Sequence, residues 1–196
     1  MPATKSSATT IIARGTSNAA LAQLTGCSAT RSGTTATLTK TSHGRSNGDK
    51  VLIQGFSLEE FNGIFTVANA AANTFDYTIA QDPGANPSGT PGTLDLVTLG
   101  TAMDMSTAYA AHVFGQLQNG TTGPSVAAQV WVGLSQVNTE SAFRWQSVAA
   151  GSLTANDMTP INYTPPQSAS FVNVAVCRNT VQAVDIRVTG SLLTGV

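Results

Sequence analysis

From Ala110 onward the chain is a succession of short runs in which apolar and polar residues alternate with a period of two, each closed by glycine, proline, asparagine or serine. Side chains on a strand point alternately to its two faces, whereas a helix would repeat near every 3.6 residues. Val113 and Leu117 alternate with His112, Phe114 and Gln116, and Val130, Val132 and Leu134 alternate with Trp131. Val172, Val174 and Val176 form a third apolar row, and Val184, Ile186 and Val188 stand opposite Asp185 and Arg187. Runs spaced about ten residues apart with turn signals between them define an antiparallel sandwich. Pro165-Pro166 falls in a connection, where a missing N–H costs nothing.

The same grammar governs His43 to Ile79, HGRSNGDKVLIQGFSLEEFNGIFTVANAAANTFDYTI. Val51 and Ile53 take one side of a pleat while Lys50, Leu52 and Gln54 take the other, which predicts a half-buried strand. Phe75, Tyr77 and Ile79 share a face, and the IFTV and TFDYTI runs are expected to pair with each other. Asn47-Gly48 and Asn62-Gly63 tolerate positive φ and read as tight turns. Upstream, Ala36 and Leu38 alternate with Thr35, Thr37 and Thr39, giving this module its first strand.

The module ends at AQDPGANPSGTPGT, whose prolines and glycines deny any regular element and predict a long surface loop. Beyond it, LDLVTLGTAMDMSTAY returns to the Thr-rich, weakly apolar texture of the N-terminal stretch. The expected class is therefore all-β, with two small antiparallel β-sandwich or barrel-like domains, one inserted into the other. Residues 1–25 plus 95–196 form a discontinuous, Ig-like sandwich with an N-terminal arm, and residues 26–94 form the inserted module. In the arm, ATTIIARG predicts one strand from Thr9 to Arg14. TSNAALAQLTG has the best local helix propensity and predicts one short helix.

Charged residues make up 10% of the 196, against roughly 25% in an average soluble chain. The net charge is −1 and the nine basic residues are scattered, so neither nucleic acid nor an anionic membrane is an expected partner. So few charges protect poorly against association, which suits a subunit covered in an assembly. No run reaches the ~18 apolar residues of a membrane span, and MPATKSSATT lacks the apolar core of a signal peptide, so synthesis and retention in the cytoplasm are expected. Cys27 and Cys177 show no metal or redox spacing and are expected to be buried thiols, with their pairing left open.

No catalytic, cofactor or metal site emerges. His43 sits in a His-Gly turn and reads as a turn or capping residue, and His112 reads as a surface or interface residue. Glu59-Glu60 is the only adjacent carboxylate pair, and its members point apart. Asp49, Asp76, Asp82, Asp95, Asp104, Asp157 and Asp185 lack the spacing of a calcium loop. Trp131, Trp145, Tyr163, Tyr77 and Tyr109 could stack on sugars or fill partner pockets, but both tryptophans are expected in the sandwich core.

Two motif sets carry a family resemblance. His43-Gly44, then Gly48-Asp49-Lys50-Val51 with Ile53 and Gly55, then Asn62-Gly63 with Phe65-Thr66-Val67, then Thr74-Phe75 with Tyr77-Thr78, resembles a small β-module of tail, fibre and head-surface proteins of tailed bacteriophages, over Gly26 to Leu96. Asn119 to Val126 and Asn179 to Ile186 resemble the first and last hairpins of a phage virion β-sandwich, over Thr101 to Val196. The resemblance implies a virion structural protein without enzymatic activity, assembled in the host cytoplasm. Its expected role is a capsid decoration or cement protein, a homo-oligomer on the particle that binds the major capsid protein. The alternative is a tail fibre, baseplate or adaptor component bound to tail proteins, or a host-carbohydrate-binding module. The sandwich and its arm are expected to make the particle contacts. The module, with Arg45, Asp49, Lys50, Glu59 and Glu60 at its turns, is expected to face solvent.

Overall fold

The computed structural model describes residues 4–5, 8–16, 22–119, 126–154, 158–177 and 185–194. Its strands are β1 (Thr4–Lys5), β2 (Thr9–Thr16), β3 (Leu24–Ser32), β4 (Thr35–Thr39), β5 (Lys50–Gln54), β6 (Gly63–Thr66), β7 (Thr74–Thr78), β8 (Gly92–Leu99), β9 (Met103–Asp104), β10 (Ala108–Gln118), β11 (Val126–Ser135), β12 (Arg144–Leu153), β13 (Met158–Tyr163), β14 (Phe171–Cys177) and β15 (Asp185–Thr194). The fold is all-β and its sheets are antiparallel. Most of the expected helix, residues 17–21, lies outside the described residues, and Leu24 already begins β3. The chain divides into two compact units, Met1–Leu21 with Thr98–Asn138 and Phe143–Val196, and Ala22–Val97 with Thr139–Ala142.

The first unit is a two-sheet sandwich. In one sheet β15 and β13 flank β10, and β1 and β2 run along the other edge of β15. In the other, β12 and β14 flank β11, and β9 adds to β14. Val113, Leu117, Ile161, Ile186 and Val188 of the first sheet meet Val130, Val132, Val172, Val174 and Val176 of the second in one buried cluster. These are the inward members of the alternating rows, and fully burying each contributes about 1.5–3 kcal/mol.

The N-terminal stretch is tied into this core. Neighbouring residues on a regular strand point apart, yet Ile11 and Ile12 are both buried. The register explains it: Ile12 stands opposite Val188 and Thr10 opposite Thr189, so Ile11 is the extra residue of a bulge. Gly100 lies directly against this pair, where a Cβ would come 2.8 Å from Ile12 Cγ1 and 2.9 Å from the Ile11 carbonyl oxygen.

In the second unit the strands form one sheet in the order β6-β5-β8-β3-β4-β7, curled around its own core. Its ends meet through a single bridge between Ala68 and Asp76. Two expectations fail here. The IFTV and TFDYTI strands do not pair with each other; β6 pairs with β5 and β7 with β4. The Phe65 and Tyr77 rings instead face each other inside the unit at 4.7 Å. Nor is β5 half-buried, because Val51, Leu52 and Ile53 are all buried. Leu52 stands opposite Ile64 on β6, which is itself buried.

The turns follow the sequence in part. Ser46 to Asp49 closes a turn in which Asp49 N–H bonds the Ser46 carbonyl at 3.1 Å, and Gly48 supplies the required positive φ of 91°. Asn62-Gly63 is not a two-residue hairpin, since a 3-10 turn at Glu59–Phe61 stands between β5 and β6. Asn62 staples that connection. Its amide donates to the carbonyls of Phe56 and Leu58 and accepts from the Phe56 N–H. The Pro/Gly-rich loop is held by Arg31, which pairs with Asp82 at 2.8 Å and whose backbone N–H donates to the Asn86 side chain.

Candidate interaction surface

A strand in a two-sheet sandwich spends every second side chain on the core and leaves the rest outside. On β10 the outward residues are His112, Phe114 and Gln116, all exposed. Register brings partners from both neighbours onto the same face. Phe114 lies between Asn162 of β13 and Thr189 of β15, Gln116 between Pro160 and Arg187, and His112 opposite Ser191. Of these, Phe114, Gln116, Asn162, Arg187 and Thr189, together with Ala8 and Gly115, line a groove of about 410 Å³ on the outside of the sheet, and His112 stands beside it.

Its parts are held in place. The Phe114 ring, 37% exposed, stacks on the His112 ring with centroids 6.0 Å apart and planes inclined by 18°. His112 Nδ1 sits 3.2 Å from Thr164 Oγ1, which fixes that ring. The Thr189 hydroxyl donates to the Phe114 carbonyl at 3.3 Å, fixing the backbone beneath it. Proline at Pro160 offers no N–H and suits a strand at the sheet's edge.

The residues singled out in the sequence scatter. His43 is buried and caps the local backbone: its Nδ1 accepts the Arg45 N–H at 3.0 Å, Nε2 faces the Thr74 carbonyl at 3.2 Å, and its ring meets Phe75 edge-on. Glu59 and Glu60 share the 3-10 turn, with Glu60 bonded to Gln81. Asp76 accepts from Thr37 and Asn69, Asp49 from the Ser46 N–H, and buried Asp95 from Gln23. Asp104 is held below the usual carboxylate range by the backbone N–H of Ser106 and then by its side chain. Asp157 lies outside the described residues, as do residues 120–125 and 179–184 of the two hairpin motifs. Among the described residues no three His, Cys, Asp or Glu side chains gather as a metal would need. Among the described residues no helix is long and apolar enough to cross a membrane.

The expected turn charges also need correction. Arg45 is buried at 6% exposure, its Nε has no hydrogen bond among the described residues, and burial pushes its guanidinium pKa down while Asp49 and Asp95 oppose the shift. Lys50 is half-buried and engaged by Thr66 and Glu140. Neither marks a free charged surface.

Cys27 and Cys177 are buried thiols, not joined in a disulfide. Burial pushes the Cys27 pKa up, opposed by Lys40 and aided by Asp95. Burial also pushes the Tyr77 phenol well above its ordinary range, with Cys27 adding to the effect. Trp131 is buried, but on the side of β11 away from the Val130–Val132 row, so it is not part of the core between the sheets. Trp145 lies on that same side, against Gly133, where a Cβ would sit 2.8 Å from its ring. Tyr109 is exposed, and the Tyr163 hydroxyl accepts from Gln146. Phe114, Asn162 and Arg187 were not candidates in the sequence: Phe114 and Arg187 were ordinary outward positions of two runs, and Asn162 lay in a stretch for which no strand was expected.

No family model matches the chain, and no curated protein matches it significantly. Among solved structures it is similar to a chain of the T13 IBDV viral particle, with a TM-score of 0.35 and 9% identity, over 94% of this chain and 71% of that one. A chain from infectious bursal disease virus Gx strain gives a TM-score of 0.33 and 13% identity, over 88% of this chain and 58% of that one. Likeness at this level carries no inference about role.

Proposed function

We propose that this is a non-enzymatic bacteriophage virion protein that decorates the capsid, binding the major capsid protein and stabilising the head. The observation that carries the reading is the phage-module motif order. The His-Gly turn, the Gly-bounded β5, the Asn-Gly before β6 and the Thr-Phe-x-Tyr-Thr of β7 are successive parts of one compact unit, Ala22–Val97. Low charge adds support, since interface cores are depleted in Lys, Glu and Asp. The mechanism is interface burial: a ligand that binds only the assembled state stabilises it by mass action, repeated at every copy.

The sandwich unit is the proposed attachment side, although Arg45 and Lys50 no longer argue for a solvent-facing module. The test is to quantify the protein against the major capsid protein in purified particles. Copy numbers comparable with the capsid protein are expected, and a handful of copies per particle would sink the decoration reading in favour of a tail component.

A further inference from the structure

We propose that the groove on the outer face of β10, β13 and β15 binds an acidic oligosaccharide, with a sugar ring on Phe114 and a carboxylate on Arg187. The chemistry of the lining selects this class. A pyranose presents an apolar C–H face ringed by hydroxyls, so its receptor needs a flat aromatic surface beside groups that both donate and accept. The Phe114 ring supplies the surface, braced by the His112 ring stacked on it at 6.0 Å. The exposed amides of Asn162 and Gln116 supply the donors and acceptors, one beside the ring and one in the next row. Rows of one face repeat about 7 Å apart along a strand, so ring and polar row reach different edges of the same ligand.

Charge decides between neutral and acidic sugars. Arg187 is exposed in the groove beside Gln116 and has no ion pair among the described residues. Its planar fork matches a carboxylate. The other charged residue of β15, Asp185, is half-buried one row further along and does not line the groove. A single guanidinium without lysines does not suit a polyanion such as nucleic acid, which is held by many cations. An apolar partner surface would leave the two amides and the guanidinium buried without partners.

A shallow groove of this kind binds weakly per site, and display of many copies on one particle would raise the avidity. The proposal does not depend on where the protein sits in a virion, and its test uses the isolated full-length chain. Tetragalacturonate and maltotetraose serve as acidic and neutral probes, with saturation-transfer NMR to identify the contacted ring protons and calorimetry for affinity. Tetragalacturonate is expected to bind at least about tenfold more tightly than maltotetraose, with transfer from aromatic protons. Phe114→Ala and Arg187→Gln should each weaken it by about tenfold or more; Arg187→Gln, at an exposed side chain, should do so without lowering the melting temperature, and the Phe114 variant, whose ring is 37% exposed, is compared at a temperature where its melting curve shows it folded. Val137→Ala, at an exposed site outside the groove, should change nothing. No binding of tetragalacturonate at about 10 mM, or binding indifferent to both groove variants, overturns the site. Equal affinity for the two probes overturns the assignment of an acidic ligand.

Discussion

Tyr77→Phe should stabilise the barrel-like unit. Tyr77 is 1% exposed, and its hydroxyl has no hydrogen-bond partner among the described residues. A buried, unsatisfied hydroxyl costs about 1–3 kcal/mol relative to hydration, while the ring's packing against Phe65 and Phe75 survives the change. Allowing for the small void left by the oxygen, a net gain of about 1 kcal/mol is expected, or roughly a fivefold drop in the unfolded population of this unit. The two buried thiols provide the assay. Cys27 is buried in this unit and Cys177 in the sandwich, so their labelling by a thiol reagent, resolved by mass spectrometry, reports the opening of each unit separately. Cys27 should label about fivefold more slowly in the variant while Cys177 labels at the parent rate.

The pH dependence gives a second arm. The folded-state pKa of Tyr77 is raised above its ordinary 10.0, so the folded unit keeps a proton that the unfolded chain gives up. The stability tied to that proton is fully present below the unfolded value and is lost as pH rises past it. Cys27, raised above its ordinary 9.0, contributes in the same direction. The advantage of Tyr77→Phe should therefore widen between pH 8 and about pH 11, leaving only the Cys27 part of the alkaline loss. Faster labelling of Cys27 in the variant, or an advantage independent of pH, would show that the hydroxyl has a partner and refute the reasoning.

Gly100→Ala should destabilise the sandwich by about 1–3 kcal/mol, because the new Cβ meets the Ile11 backbone carbonyl, which cannot yield as a side-chain end could; a lower melting midpoint by tryptophan fluorescence, with Cys27 labelling unchanged, checks it. His43→Ala should cost the barrel-like unit about 2–4 kcal/mol, since it strips the buried Arg45 N–H of its acceptor and leaves a void beside Phe75; faster labelling of Cys27 with Cys177 unaffected is the expected readout.

What was legible in the sequence was the existence of strands, because period-two alternation is a local property. The rows Val113–Leu117, Val130–Val132 and Val172–Val176 named their own inward faces, and those faces meet in the sandwich core. Pairing was less legible, because it depends on partners distant in sequence. TFDYTI follows IFTV after a short polar interval, which favours a hairpin, yet β7 joins β4, where Phe75 faces Leu38, Tyr77 faces Ala36, and Asp76 accepts the Thr37 hydroxyl at 2.6 Å. Leu52 failed for a related reason. Lys50 and Gln54 on its side of the pleat marked that side as wet, and local alternation cannot register that the middle residue stands opposite buried Ile64.

The groove lies furthest from what a linear reading can reach. A catalytic or metal site leaves a spacing because its ligands sit on one helix or one loop, as in the zinc and calcium motifs. A sheet face leaves none. Phe114, Asn162 and Arg187 become neighbours only through the registers of β10 with β13 and β15, and each alone is an unremarkable outward residue. A one-residue slip of β13 against β10 would turn Asn162 into the core and Ile161 out to solvent. What holds the register is the burial of Ile161, Val113 and Val188 on the opposite face. The apolar rows that were easy to read therefore set the geometry of the polar ones that were not, and a core substitution that shifts either register should disturb the groove before it unfolds the sandwich.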